Sequence, residues 1–456
     1  MSLLLLFLQI PYTGFAIPDD LLKFAVQGFH ATPIHIDMTS KELINKTLQH
    51  QDAGRVPVDF GSTSVTGIHV LAVQRLREFY GLEKKPVRVI EPYQMLGEVD
   101  NELKEIMGVD TAAVMARNTM FGFPNESWKE FRTFWNQVVL VPGRFNTTFD
   151  SNGDLLIYPE GDRTVPPSGR MPVEGYFFDA IIRQEPLDEN FMDPMDNVQE
   201  FNRIKEDELD YFAHEIDAAY DTGRAVVVNF GGTALGDIAL VPAPFLKKPR
   251  GIRDVTEWYM STVMRTDYVQ TVFDMQTDIA LTNLKLLYQR VGNKPDVVFL
   301  CGTDFGTQDS QFCSPESFEE LYLPYYRKMT SWIHKNTGWK VFKHSCGSVE
   351  PLMDMFIESG FDVINPVQIN AAGMDPKTLK KKYGSQVTFW GGGVDTQKVL
   401  AFGTPAQVEK QVLELCEIFS AGGGFVFNTV HNIQANVPVE NIVAMVNAVK
   451  KFNGKM

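Results

Sequence analysis

His344 and Cys346 stand two residues apart in VFKHSCGSV (341–349), after an apolar run and just before Gly347. Residues i and i+2 of a β-strand point to the same face, so a strand over 341–346 sets the imidazole and the thiol side by side. Both groups are good zinc ligands. A His-x-Cys pair alone is as readily a buried cysteine beside a hydrogen-bonded histidine. A third group shifts the balance: His431 closes the apolar run GGFVFNTVH (423–431). If both strand ends turn inward at one rim, two imidazoles and one thiolate share a point and leave a fourth position open, the pattern of catalytic zinc. Asp59, Asn229, Asp304, Gln368 and Asp395 also end apolar runs, and Gln308 follows Asp304 closely. Asp304, Gln368 and Asp59 are expected to act in catalysis, and Asn229, Gln308 and Asp395 to contact substrate. Cys301, within its own run, would join the ligands if it pointed inward.

The elements that must hold these groups recur along the chain. Eight short runs rich in Val, Phe and Ile alternate with helical stretches: RVPVDFG (55–61), TAAVMAR (111–117), AVVVNFGG (225–232), DVVFLCGTD (296–304), KVFKHSCG (340–347), DVINPVQ (362–368), QVTFWGGGVD (386–395) and GGFVFNTVH. Continuous apolar runs between helices mean parallel strands covered on both faces. Eight such units predict an α/β fold, a (β/α)8 TIM barrel, whose active site lies where the strands end. The helices are well marked. Thr404, Pro405 and Gln407 form an N-terminal capping signature, followed by an apolar stripe that includes Cys416. Asp375-Pro376 and Ser314-Pro315 open two more helices, and His334 is expected at the surface near a helix C-terminus. Between the second and third strands the rhythm breaks. TTFDSNGDLLIYPEG carries a hairpin signal at Asn152-Gly153 and PPSGRMP follows, so an insertion over about 140–182 is expected above one barrel end. WGGGVD and SAGGGF lack the Lys-Ser/Thr of a phosphate loop and read as places where backbones pass closely.

Composition narrows the function. The chain has 456 residues, with 42 basic against 57 acidic side chains and a net charge of −15. That argues against nucleic acid and against anionic membrane surfaces. Four cysteines make no disulfide framework, which fits a cytoplasmic protein. MSLLLLFLQI is apolar but too short to span a bilayer and lacks a basic flank. A capped helix begins at Met38-Thr39, so residues 1–37 are expected to be an extension outside the fold and 38–456 the barrel; a poorly cleaved export signal, with TGFA (13–16) as its cleavage site, is the alternative.

From Met38 onward the chain resembles the uroporphyrinogen decarboxylase superfamily, in particular its cobalamin-dependent methyltransferase branch. RVPVDFG, GTDFGTQ, SPESF, HSCG, GGGVDTQ and NTVHNIQANVPVEN carry the resemblance in the family's order. The decarboxylases have an arginine-bearing RQAGRY-like segment after the first strand, whereas this chain reads FGSTSVTGIHV there. The methyltransferases are implied to hold zinc by His-x-Cys on the fifth strand and a Cys after the eighth. His344 and Cys346 match the first two, and His431 stands where that Cys would be, as in the decarboxylases. The resemblance implies zinc and a cobalamin (corrinoid) cofactor. No D-x-H-x-x-G corrinoid pattern is present, so the corrinoid is expected on a partner protein or free. The activity implied is methyl transfer between a small methylated substrate (methoxyaromatic, methylamine or thiol) and that corrinoid. Two alternatives stand beside it: a decarboxylase of a polycarboxylate tetrapyrrole, and a non-catalytic barrel that binds a partner.

Overall fold

The computed structural model describes residues 38–231 and 233–454; the expected extension 1–37 lies outside the described residues. Seven parallel strands form one curled sheet. They are Thr111–Val114, Ala225–Val228, Val297–Cys301, Lys340–His344, Val363–Asn365, Thr388–Trp390 and Phe425–Val426, in chain order across the sheet. The first expected strand, 55–61, is reduced to one bridge. Val58 pairs in parallel with Phe427, and its carbonyl accepts from Asp110 N at 2.8 Å, next to Thr111–Val114. Pro57 has no N–H to give a ladder, and its carbonyl accepts from Phe427 N instead (2.8 Å). The sheet thereby closes on itself as a (β/α)8 barrel, with its shortest staves beside this join.

Alternation along each strand sorts the side chains. Ala225, Val227, Val297, Phe342, Val363, Trp390 and Val426 form an interior cluster with Ile44 and Leu48. These last two belong to helix Ser40–Leu48, which closes the N-terminal end of the barrel. Thr39 and Glu42 cap that helix reciprocally, as the sequence predicts, and Lys41 N donates to Gly223 O just before a strand begins. The outward side chains join a larger core under the helices. Helix Pro405–Ser420 has the expected Thr404–Gln407 capping box, and Cys416 is fully buried on its apolar face. The helix expected after Ser314-Pro315 is broken into Pro315–Leu321 and Leu323–Asn336, because Pro324 can sit only in a first turn. His334 is exposed near the helix C-terminus, as expected, and its ring also bonds Asp362 at 2.7 Å.

The hairpin at Asn152-Gly153 forms: Thr147–Phe149 pairs antiparallel with Leu155–Ile157, and Gly153 takes φ +86°. Gly169–Met171 and Asp179–Ala180 complete a four-stranded sheet. Strand structure outside the barrel is more extensive than expected. A five-stranded sheet joins Ile68–His69, Leu96–Gly97, Val87–Glu91, Val138–Val141 and Lys129–Arg132. Two of its strands are only two residues long, and the other three, at four to five residues, lie at the short limit at which alternation is legible.

Candidate metal centre

Lys340–His344 lies between Val297–Cys301 and Val363–Asn365 in the sheet, with His344 in register with Asn365. His344 shares the parity of Phe342 and so turns into the barrel, one layer above it. Asn365 Nδ2 donates to the Trp390 carbonyl (2.7 Å), which leaves its Oδ1 as acceptor for His344 Nδ1 (2.7 Å). That bond puts the imidazole proton on Nδ1 and leaves Nε2 with a free lone pair facing Cys346 Sγ, 3.4 Å away. His431 reaches the same place from the loop after Phe425–Val426, its ring 5.5 Å from that of His344. Asn432 pins this loop by donating to Ser64 O and Gln94 Oε1 and accepting from Gly67 N. One ligand atom each from His344, Cys346 and His431 lies within 4.8 Å of the others.

The turn after His344 is fixed by close backbone approach. Gly347 has φ +88°, and a Cβ there would lie 2.3 Å from Gly306 C. Cys346 N donates to Asp304 Oδ1 (2.7 Å), an oxygen also 3.7 Å from His344 Nε2. Asp304 therefore stands at the cluster. Burial raises its carboxyl above the usual range. Burial also lowers both imidazoles to about 4, with the neighbouring His344 adding to the effect on His431, and pushes the Cys346 thiol well up. The histidines are thus neutral and ready to coordinate, while the thiol must shed its proton on binding a cation.

The remaining expected site residues divide. Gln368 and Gln308 join the cluster's frame but are occupied. Gln368 Oε1 accepts from Gly347 N (2.7 Å), its Nε2 donates to Gln308 Oε1 (3.0 Å), and Gln308 Nε2 donates to Asn370 O (2.6 Å). Asn229 accepts from Gly231 N two residues on (2.9 Å), and Asp395 Oδ1 takes Gln397 N and Lys398 N. Both are turn-forming contacts. Asp59 is fully buried and takes Ser62 Oγ, Thr111 Oγ1 and Trp390 Nε1 at 2.6–2.8 Å, which leaves it a brace rather than a group facing the opening. Cys301 does not point inward. A bulge after Phe299 pairs it with Lys343, and its sulfur meets Thr303 Oγ1 and Tyr326 OH in the sheet–helix layer.

Residues the motifs did not mark also surround the site. Asp237 follows strand Ala225–Val228; its Oδ2 would be 2.6 Å from a Cβ on Gly302, and its Oδ1 accepts from Ala239 N. Burial, then the charge of Asp304, raises its carboxyl to about 6. Tyr259 stacks on Phe312 at 4.7 Å, and its buried hydroxyl has no partner among the described residues. Only the type and burial of these side chains in the fold reveal them.

The sequence profile of uroporphyrinogen decarboxylase (URO-D) matches residues 190–452, more than half of the chain and all three candidate ligands. The chain belongs to the URO-D family. Curated URO-D relatives are distant. The uroporphyrinogen decarboxylase of Pseudoalteromonas translucida is 27% identical over 150 residues, 31% of this chain and 39% of that protein. That of Coxiella burnetii is 24% identical over 184 residues, 38% of this chain and 46% of that protein. The chain thus spans less than half the length of the curated URO-D relatives it matches. Among solved structures, a methyltransferase from Methanosarcina mazei aligns over 91% of this chain and 99% of its own, with TM-score 0.52 and 14% identity, a likeness of fold.

Proposed function

We propose that this URO-D family member is a zinc-dependent methyltransferase that moves a methyl group between a small methylated substrate and a corrinoid. The observation that carries the reading is the convergence of His344 Nε2, Cys346 Sγ and the His431 ring, with the His344 tautomer set by Asn365. Two imidazoles and a soft thiolate form a donor set that fits zinc and leaves room for a fourth ligand. Zinc bound there would supply Lewis acidity toward a substrate sulfur or oxygen, and the corrinoid, from a partner protein or free, would supply the cobalt that carries the methyl group.

The chain's own residues do the rest. Asn365 holds the His344 ring in the ligating orientation. Asp304 anchors the Cys346 amide and sits where it can take or return a proton beside the open position. Gln368, through Gly347, fixes the turn that presents the thiol.

The names of the curated relatives favour a second reading, decarboxylation of a polycarboxylate tetrapyrrole. Such a substrate needs fixed cations, because buried carboxylates must be paired. Here the charged residues beside the cluster are Asp304, Asp237 and Lys343, the lysine lies in the sheet–helix layer with its head on two backbone carbonyls, and 62–70 contains no Arg or Lys. The deciding experiment has two parts: metal analysis of the purified protein, and incubation with reduced cobalamin and a panel of methoxyaromatics, methylamines and methyl thiols while the cobalt absorbance is followed. One zinc per chain and a methylcobalt spectrum are expected. Catalytic formation of coproporphyrinogen from uroporphyrinogen would overturn the proposal in favour of the second reading.

A further inference from the structure

Lys343 breaks the pattern of its strand. Val341 and Lys343 alternate with the inward Phe342 and His344 and so face the sheet–helix layer, where a parallel strand is normally apolar. Lys343 is fully buried. Its ammonium lies 5.0 Å from the Phe305 ring centroid, 5.7 Å from that of Tyr326 and 5.9 Å from that of Phe356. Among the described residues no carboxylate lies within ion-pair distance of it. A methionine of similar length would fill the same space without the desolvation cost of a charge, several kcal/mol in order of magnitude. The lysine must therefore do something at its head that methionine cannot.

The head donates to two backbone carbonyls, Thr303 O at 2.6 Å and His344 O at 2.5 Å. These carbonyls end two neighbouring strands. Thr303 precedes Asp304, whose Oδ1 holds the Cys346 amide, and His344 is itself a candidate ligand two residues before Cys346. The third N–H is left to the aromatic faces, which hold a cation in place of water. A single ammonium thus ties the base of the Asp304 loop to the base of the His-x-Cys turn from behind the barrel wall.

We propose that Lys343 is a positioning residue for the metal centre, setting the separation of Asp304, His344 and Cys346 by cross-linking the ends of their strands. This rests on the zinc reading above. Outer contacts that orient ligands typically change metal affinity 10–100-fold when removed. A purely packing role would instead show only in the stability of the fold.

The test uses full-length Lys343→Met. Zinc affinity is measured by competition with a chromophoric chelator, the cobalt(II)-substituted site by its visible absorption, and the metal-free fold by thermal melting. Zinc binding at least about tenfold weaker, with altered cobalt(II) bands in a variant that still melts cooperatively without metal, is the expected result. Wild-type affinity and spectrum in Lys343→Met would overturn the proposal. Should Lys343→Met not fold, Lys343→Gln, which keeps a donor for one carbonyl, decides in its place: it is expected to bind zinc more weakly than wild type, and equal binding overturns the proposal. Failure of both variants to fold also overturns it, because the lysine would then build the fold rather than place the ligands. Wild-type protein that binds no zinc removes the metal reading itself, an outcome visible before any variant is made.

Discussion

Two buried polar regions end the barrel strands, and they are built on opposite plans. Around Asp59 every strong acceptor is matched: Ser62, Thr111 and Trp390 give their hydrogens to the carboxylate, and Asn428 Nδ2 gives one to its backbone carbonyl at 2.6 Å. Around His344 the matching stops one step short. Asn365 satisfies one ring nitrogen, and the other faces a thiol and a second imidazole with no strong donor among them. Burial is similar in both, as Asp59 is fully buried and His344 only 4% exposed. The difference lies in donor and acceptor inventory. A closed network holds strands together, whereas ring nitrogens and a sulfur gathered without a strong donor are free to take up a cation.

The comparison breaks most severely if the open cluster holds no metal. Cys346→Ser replaces a soft ligand by a hard one and should weaken zinc binding by more than about 100-fold, beyond the loss typical of outer contacts. The melting of the metal-free protein should be nearly unchanged, since Cys346 is only part-buried. Stoichiometric zinc in a Cys346→Ser, His431→Ala double variant would sink the assignment. On the closed side the pattern should reverse. Asp59→Ala leaves the Trp390 N–H and two hydroxyls unsatisfied, and should cost about 3 kcal/mol of stability in urea unfolding. Zinc affinity should stay within about twofold of wild type, since Asp59 touches no ligand. A large loss of zinc with intact stability would move Asp59 back among the catalytic groups.

These regions were not equally legible in the chain. His-x-Cys is a local signal, because two residues on one strand share a face whatever the rest of the fold does. The capping boxes at Thr39 and Thr404 are local as well. Asp59 reads like a site residue because it too ends an apolar run, and its brace comes from Trp390, 331 residues away. Such partners exist only after the barrel closes. Cys301 turned outward because of a bulge after Phe299, which no apolar pattern announces. Asp237 and Lys343 carried no motif. Lys343 was still detectable as an anomaly, a charge inside an otherwise apolar parallel strand.

A smaller effect sharpens the account of the open cluster. Asn365→Ala removes the acceptor that holds the His344 Nδ1 proton and leaves the ring free to turn or change tautomer. Zinc affinity should fall about tenfold, read by the same chelator competition, and less than for Cys346→Ser. An effect as large as the ligand's own removal would mean that Asn365 holds the strand rather than the ring. The two are separable, because only loss of the ring contact leaves the metal-free Tm close to wild type.

The smallest effect lies outside the barrel sheet, at His69, another buried group whose donors and acceptors are all matched. This ring is fully buried next to the strand that meets Ile433, and its Nδ1 accepts from Leu71 N at 3.2 Å. Its Nε2 therefore carries the proton and donates to Tyr176 O at 2.9 Å. Both nitrogens are matched in the neutral form, and burial lowers the group from its ordinary 6.5 to about 4. Below the ordinary value the unfolded chain takes up a proton that the folded chain refuses. This contribution to stability is therefore complete above pH 6.5 and is lost progressively as pH falls toward 4. One unit below the ordinary value it amounts to about 1 kcal/mol. Between pH 7 and about pH 5.5, His69→Gln should accordingly lose about 1 kcal/mol less stability than wild type in urea titrations run on metal-free protein. Metal-free protein keeps release of any bound cation from adding to the slope, and the cluster histidines, present in both proteins, cancel in the comparison. An identical pH slope in variant and wild type would show that His69 takes up its proton inside the fold, and that a fully matched site is not thereby closed to a charge.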